Sequence, residues 1–175
     1  MENKIHEWAV LPVGGLTFSQ ELLDCCKTNA CGNYNKSWTC PPACGTMEEQ
    51  REKILSFKDV YVFTTKYNLE DSFDYEGMTR GRELHTLLTL EIKKKLGDVP
   101  GIQSISVYGA GSCPICRDKD GKETCAFPHP CPFPEEKIGS IEAAGINVTE
   151  LSKAAGLTYN NGPNIVTFFS IVLLN

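Results

Sequence analysis

Histidine is scarce in this chain. Its three copies, His6, His85 and His129, are widely separated, so no Ser-His-Asp or Cys-His-Asn arrangement can be assembled around them. Positive charge is in deficit too: 17 Lys and Arg stand against 22 Asp and Glu, a net charge of −5. That balance lacks the basic footprint of a nucleic-acid binder, and no nucleic-acid partner is expected. Long hydrophobic runs are missing. The greasiest stretch, IVTFFSIVLL near the C-terminus, is about half of the roughly 20 residues a spanning helix needs. The N-terminal MENKIHEWAV is charged and has no apolar core of export-signal length. No membrane partner is expected, and the sequence reads as cytoplasmic. The GAG at 109–111 lacks a following helix and the rest of a phosphate-binding fingerprint, which argues against nucleotide binding.

What the chain has in excess is cysteine, nine in 175 residues. A secreted disulfide scaffold would be shorter and would follow an export signal, and an odd count leaves one thiol unpaired. In a reducing compartment, clustered cysteines are more often metal ligands or redox thiols. These fall in two patches. The first reads Cys26-x4-Cys31-x8-Cys40-x3-Cys44, with Cys25 as a neighbour that is either a small buried hydrophobe or a spare thiol. The second reads Cys113-x2-Cys116-x8-Cys125-x5-Cys131. Each offers four soft thiolate ligands, enough for a tetrahedral zinc or for the four irons of a cubane. Cys113-Pro-Ile-Cys116 has the form of a zinc knuckle. The prolines after Cys40 and Cys131, and the aromatics Tyr34, Trp38, Phe127 and Phe133, suit the apolar jacket of an iron–sulfur cluster. Spacing alone leaves both metals open. His129, between two prolines of the second patch, reads as second-layer or solvent-facing in preference to a ligand.

Between the patches the chain reads as ordinary structure. Thr46-Met47-Glu48-Glu49 forms a capping box that predicts a helix over 47–56. DVYVFTTKY (59–67), SISVYGAG (104–111) and NIVTFFSIVLL (164–174) read as strands, and WAVLPV (8–13) as another. A long helix is expected over 79–96. Its predicted buried stripe is Leu84, Leu87, Leu88, Ile92 and Leu96, with Lys93 to Lys95 in the last turn, Gly97 as cap and His85 partly exposed beside the stripe. The acidic run Glu70, Asp71, Asp74, Glu76 reads as solvated loop. SIEAAG and TELSKAAG are expected to be short helices ended by Gly145 and Gly156. The fold class this predicts is α/β (or α+β): one domain over 1–175, a single mixed sheet layered with helices, with both cysteine loops at its edge or ends. Loops leaving one end of a sheet lie side by side, so the two patches are expected to face each other.

Several stretches carry a family resemblance: CGNYNKSWTCPPACGTMEE, DSFDYEGM, GAGSCPIC, CAFPHPCPFPEEKIGSIEAAGINV and AGLTYNNGPNIVTFFSIVLL. Together they resemble an uncharacterised prokaryotic family of predicted metal-binding proteins, a cysteine-rich domain of unknown function common in anaerobes. The resemblance covers nearly the whole chain. Cys26, Cys31, Tyr34, Trp38, Cys40, Pro41, Pro42 and Gly45 match its first motif, and Cys44 is supplied by relatives that have C-P-P-A-C-G. Cys113, Cys116, Cys125, Cys131, Phe133, Pro134, Ser140, Glu142, Ala143 and Gly145 match its second. Two departures stand out: Pro132 replaces an arginine, and RDKDGKET (117–124) stands where the family has two residues. The insertion is polar and carries a turn at Asp120-Gly121, so it can bulge out without displacing its ends. Without it the spacing is C-x2-C-x2-C, compact as in iron–sulfur proteins.

The resemblance therefore favours two 4Fe-4S clusters as cofactors, one on Cys26, Cys31, Cys40 and Cys44 and one on Cys113, Cys116, Cys125 and Cys131, with zinc as the alternative. It implies metal binding and an anaerobic setting but no reaction. The leading expectation is electron transfer with a redox partner protein. A zinc-stabilised interaction module and a cluster-dependent redox enzyme are the competing classes.

Overall fold

The structure, a computed structural model, describes residues 3–175. Its frame is a five-stranded mixed sheet in the order β1-β2-β5-β3-β4. Strands β1 (Glu7–Pro12), β2 (Asp59–Asn68), β5 (Ile165–Leu174) and β3 (Ile105–Gly109) pair antiparallel. The two-residue β4 (Gly139–Ser140) joins β3 in parallel. With its helices on both faces, this is an α+β arrangement.

Residue alternation assigns the faces. On one, Val60, Val62, Phe169, Ile171 and Leu173 meet Ile54 of α2 (Met47–Leu55), Leu151 of α4 (Val148–Ala155), and Ile141 and Ile146 between them. On the other, Phe63, Val107 and Val172 meet Ile138 and Ile92 of α3 (Tyr75–Gly97). Strand β5 lies between neighbours and under helices on both sides, which explains why it is written as an unbroken apolar run.

Local chemistry sets the helix ends. In α2 the Thr46 hydroxyl accepts from Glu49 N at 3.2 Å and Glu49 Oε2 accepts from Thr46 N at 2.7 Å, the predicted capping box. Asn147 caps α4 through Thr149 N and Glu150 N, and Gly156 ends it at φ 66°. Asp74, expected in a solvated run, accepts from Gly77 N at 2.7 Å and starts α3 four residues earlier than expected.

Three expectations need correction. SIEAAG is no helix: Gly139 and Ser140 pair with β3, and 141–145 form a hydrogen-bonded turn closed by Ile146 N to Ile141 O at 3.1 Å. The buried line of α3 is Gly77, Gly81, His85, Thr89 and Ile92 in place of a leucine stripe. Leu87 is exposed, and His85 is fully buried. Gly97 is the last helical residue, with Asp98 as the cap.

The small residues of that line let α3 press onto the sheet. A Cβ on Gly81 would stand 2.8 Å from Tyr67 Cδ2 and 3.2 Å from Phe168 Cε2. Alanine gains helix propensity, yet the overpacking wins, and Gly81→Ala should destabilise the protein by about 1–3 kcal/mol. Urea melts check this. A stabilised variant would mean that the α3–sheet gap is wider than described.

Candidate metal centre

The first thiol patch starts on a helix that the sequence pattern does not reveal, α1 (Gln20–Lys27), whose last turn carries Cys25 and Cys26. Thr28 ends it, donating N–H and Oγ1–H to Cys25 O at 3.1 and 2.8 Å. Asn29 and Asn35 then take left-handed conformations (φ 54° and 55°) that asparagine tolerates, and Asn29 Oδ1 accepts from Tyr34 N at 3.0 Å. Asn35 N donates to Pro41 O at 2.8 Å, folding Cys31 back toward Cys40. Cys40 and Cys44 share one helical turn, Cys44 N to Cys40 O at 3.0 Å. Gly45, at φ 98°, redirects the chain into α2.

Cys26, Cys31 and Cys40 line one recess of about 320 Å³, together with Ser112, Ser140 and Glu142. Cys44 borders a different cavity, beside Gln50 and Tyr108, and its thiol points to Ala143 O at 3.7 Å and Gly45 O at 3.8 Å. Cys25 is exposed, which rules out a small buried hydrophobe. Burial pushes the Cys40 thiol up to about 11, with Cys31, Cys44 and Cys26 adding to the rise and a Ser37 hydrogen bond opposing it. Cys44 is likewise pushed to about 11, chiefly by burial. Cys26 is raised by burial first, then by Cys31 and Glu142. Anionic sulfur is therefore disfavoured here until a cation joins it.

The second patch leaves the end of β3. Cys113 N donates to Thr39 Oγ1 at 3.1 Å, and Ile138 N lies 3.5 Å from Cys113 Sγ as a donor. Cys113, Cys116, Cys125 and Cys131 all line one tight void of about 10 Å³, whose wall includes Trp38 and Lys137. Burial raises Cys113 and Cys116, and the other thiols of the patch raise them further.

The insertion 117–124 folds as a hairpin on its own hydrogen bonds. Asp118 N donates to Lys122 O at 2.9 Å, Asp118 Oδ1 accepts from Asp120 N and Lys122 N, and Thr124 N closes the base onto Cys116 O at 3.0 Å. Its outward tie is the half-buried Arg82–Glu123 pair at 2.9 Å, which no sequence pattern signals. Replacing 117–124 by two residues should keep metal at the second patch and cost about 1 kcal/mol or less for the lost ion pair. Metal analysis and melting of the shortened chain check this. A second patch that no longer takes metal would show the hairpin to be part of the site.

The two loops lie against each other. Trp38 Nε1 donates to His129 O at 2.8 Å, and the Trp38 and Phe127 rings meet edge-to-face at 5.0 Å. One open cleft of about 1020 Å³ is bordered by Cys31 from the first patch and by Cys113 and Cys125 from the second. His129 itself is exposed. Among the described residues no three Cys, His, Asp or Glu side chains converge closely enough to hold a single metal ion. The donor chemistry still fits a soft metal: each patch gathers thiols that feel one another's charge. Among the described residues no helix is long and apolar enough to cross a membrane.

A family model described as a predicted metal-binding protein, DUF2284, matches residues 9–174. No curated protein and no solved structure matches the chain.

Proposed function

The chain belongs to the DUF2284 family of predicted metal-binding proteins, and from that premise we propose that it holds two thiolate-ligated iron–sulfur centres side by side and passes electrons to or from a partner protein. Cys26, Cys31 and Cys40 would hold one centre, and Cys113, Cys116, Cys125 and Cys131 the other. The carrying observation is the contact between the loops: the Trp38 indole, bonded to His129 O and edge-to-face with Phe127, ties the loop of the first thiol set to the loop of the second. Metals that only stapled their own loops would not require that proximity. When bound, such clusters supply one-electron transfer at a potential set by burial and by hydrogen bonds to sulfur. The chain contributes both levers. Cys40 is buried and Cys113 half-buried, and Ile138 N–H points at the Cys113 sulfur.

A zinc reading has one specific observation in its favour. The second thiol set encloses a void of only about 10 Å³, room for about one water-sized body, next to the Cys113-Pro-Ile-Cys116 knuckle. Iron, acid-labile sulfide and zinc counted per chain after anaerobic purification separate the two. Iron and sulfide in equal amounts, with a visible absorption bleached by dithionite, support the relay. Zinc at both sites with no sulfide would replace it by an interaction module.

A further inference from the structure

The first thiol set has an unassigned neighbour. Glu142 sits in the turn 141–145, whose other side chains face inward: Ile141, Ala143 and Ala144 are at most 2% exposed. The turn is pinned on both flanks. Gly145 O accepts from Ser19 N at 2.7 Å at the entrance to α1, and the position of a Cβ on Gly145 lies 3.0 Å from Leu23 of α1 and 3.3 Å from Met47 of α2. Glu142 is thereby directed to the end of α1 where Cys26 sits, and its side chain lines the recess with Cys26, Cys31 and Cys40. Ser140 Oγ donates to Glu142 Oε2 at 3.0 Å, which orients the carboxylate and leaves Oε1 without a hydrogen bond among the described residues. Cys44, the fourth cysteine by spacing, borders another cavity and turns its thiol to backbone carbonyls.

We propose that Glu142 is the fourth protein donor of the first metal centre, completing Cys26, Cys31 and Cys40, and that Cys44 stands outside the ligand shell. The inference rests on the metal-binding reading above and specifies its donor set. Three thiolates and a carboxylate around one recess would repel one another as anions. A shared cation turns that repulsion into attraction. A carboxylate is a harder ligand than thiolate, so its position becomes the distinct one of the centre, opening to the recess beside Ser112 and Asn33.

The test uses the full chain, loaded anaerobically with ferrous iron and sulfide and, in parallel, with zinc alone, then challenged with a chelator. Glu142→Gln should weaken one of the two centres by at least about 10-fold and leave the other unchanged. Cys44→Ser should hold both centres within about twofold of wild type. Glu142→Cys should recover the metal with an altered visible or paramagnetic spectrum, separating ligation from a folding defect. Undiminished chelator resistance in Glu142→Gln, or loss of one centre in Cys44→Ser, overturns the assignment of Glu142 while the metal-binding reading stands. A wild-type chain that takes up no metal overturns both.

Discussion

Serine at position 40 should empty one metal centre and leave the other loaded, so that Cys40→Ser carries about half the metal of the wild-type chain. Cys40 is the most buried of the nine thiols, at 7% exposure. It sits where the turn before α2 meets the recess, and it feels Cys26, Cys31 and Cys44. A hydroxyl is a poor ligand for a soft metal, so serine leaves the recess one thiolate short. Since binding free energy at such a site is also folding free energy, the melting temperature should fall as well. Cys25→Ser is the matched comparison: one residue from Cys26, exposed on α1, it should keep its full metal content. Metal loss from Cys25→Ser equal to that from Cys40→Ser would mean that the α1 cysteines exchange roles and that the spacing argument chose the wrong one.

The sequence was informative where local chemistry and burial agree. Strand β2 is β-branched and aromatic, alternating at its ends and buried through its middle, β5 runs apolar because both its faces are covered, and Thr46 to Glu49 writes its own cap. The two cysteine patches were legible from spacing, and the structure gathers Cys113, Cys116, Cys125 and Cys131 around one void but leaves Cys44 beside another cavity than Cys26, Cys31 and Cys40. Other features depend on contacts between distant residues. Helix α1 buries only Leu23, and a single buried position leaves no periodicity to read. Strand β4 is two residues long and exists because β3 needs a neighbour at Tyr108 and Gly109. The Trp38–His129 bond spans 91 residues of chain, and the facing of Glu142 toward Cys26 follows from the wedging of its turn between α1 and α2. On α3, leucine spacing pointed to one face and the fold buried another, because two glycines, a histidine and a threonine allow the closer approach.

That histidine should make the protein acid-sensitive well above the range where carboxylates titrate. His85 is 1% exposed, flanked by the rings of Phe63 and Phe168 at 5.5 and 5.7 Å. Its Nδ1 and Nε2 meet the hydroxyls of Thr65 and Ser170 at 2.9 and 2.8 Å, and Thr89 Oγ1 lies 3.0 Å from Ser170 Oγ. A neutral imidazole, one donor and one acceptor, satisfies both hydroxyls. Burial pulls the imidazolium down to about 4 from an ordinary 6.5, with a backbone contact at Phe169 opposing it only in part. Between those two values the unfolded chain binds a proton that the native chain refuses, so stability falls as pH drops through the window. Above 6.5 this group has no effect on the slope, and below 4 its penalty is complete. At about 1.4 kcal/mol per pH unit the full penalty is about 3 kcal/mol, a large share of a typical domain's stability. Metal release also responds to acid, so the measurement is a difference: urea midpoints of wild type and His85→Gln, each from pH 7 to pH 4. Glutamine can still offer a donor and an acceptor to Thr65 and Ser170, and it carries no proton to gain. The wild-type curve should fall more steeply by about 3 kcal/mol across the window. Parallel curves would place the acid sensitivity in the thiol centres and leave His85 a purely structural residue.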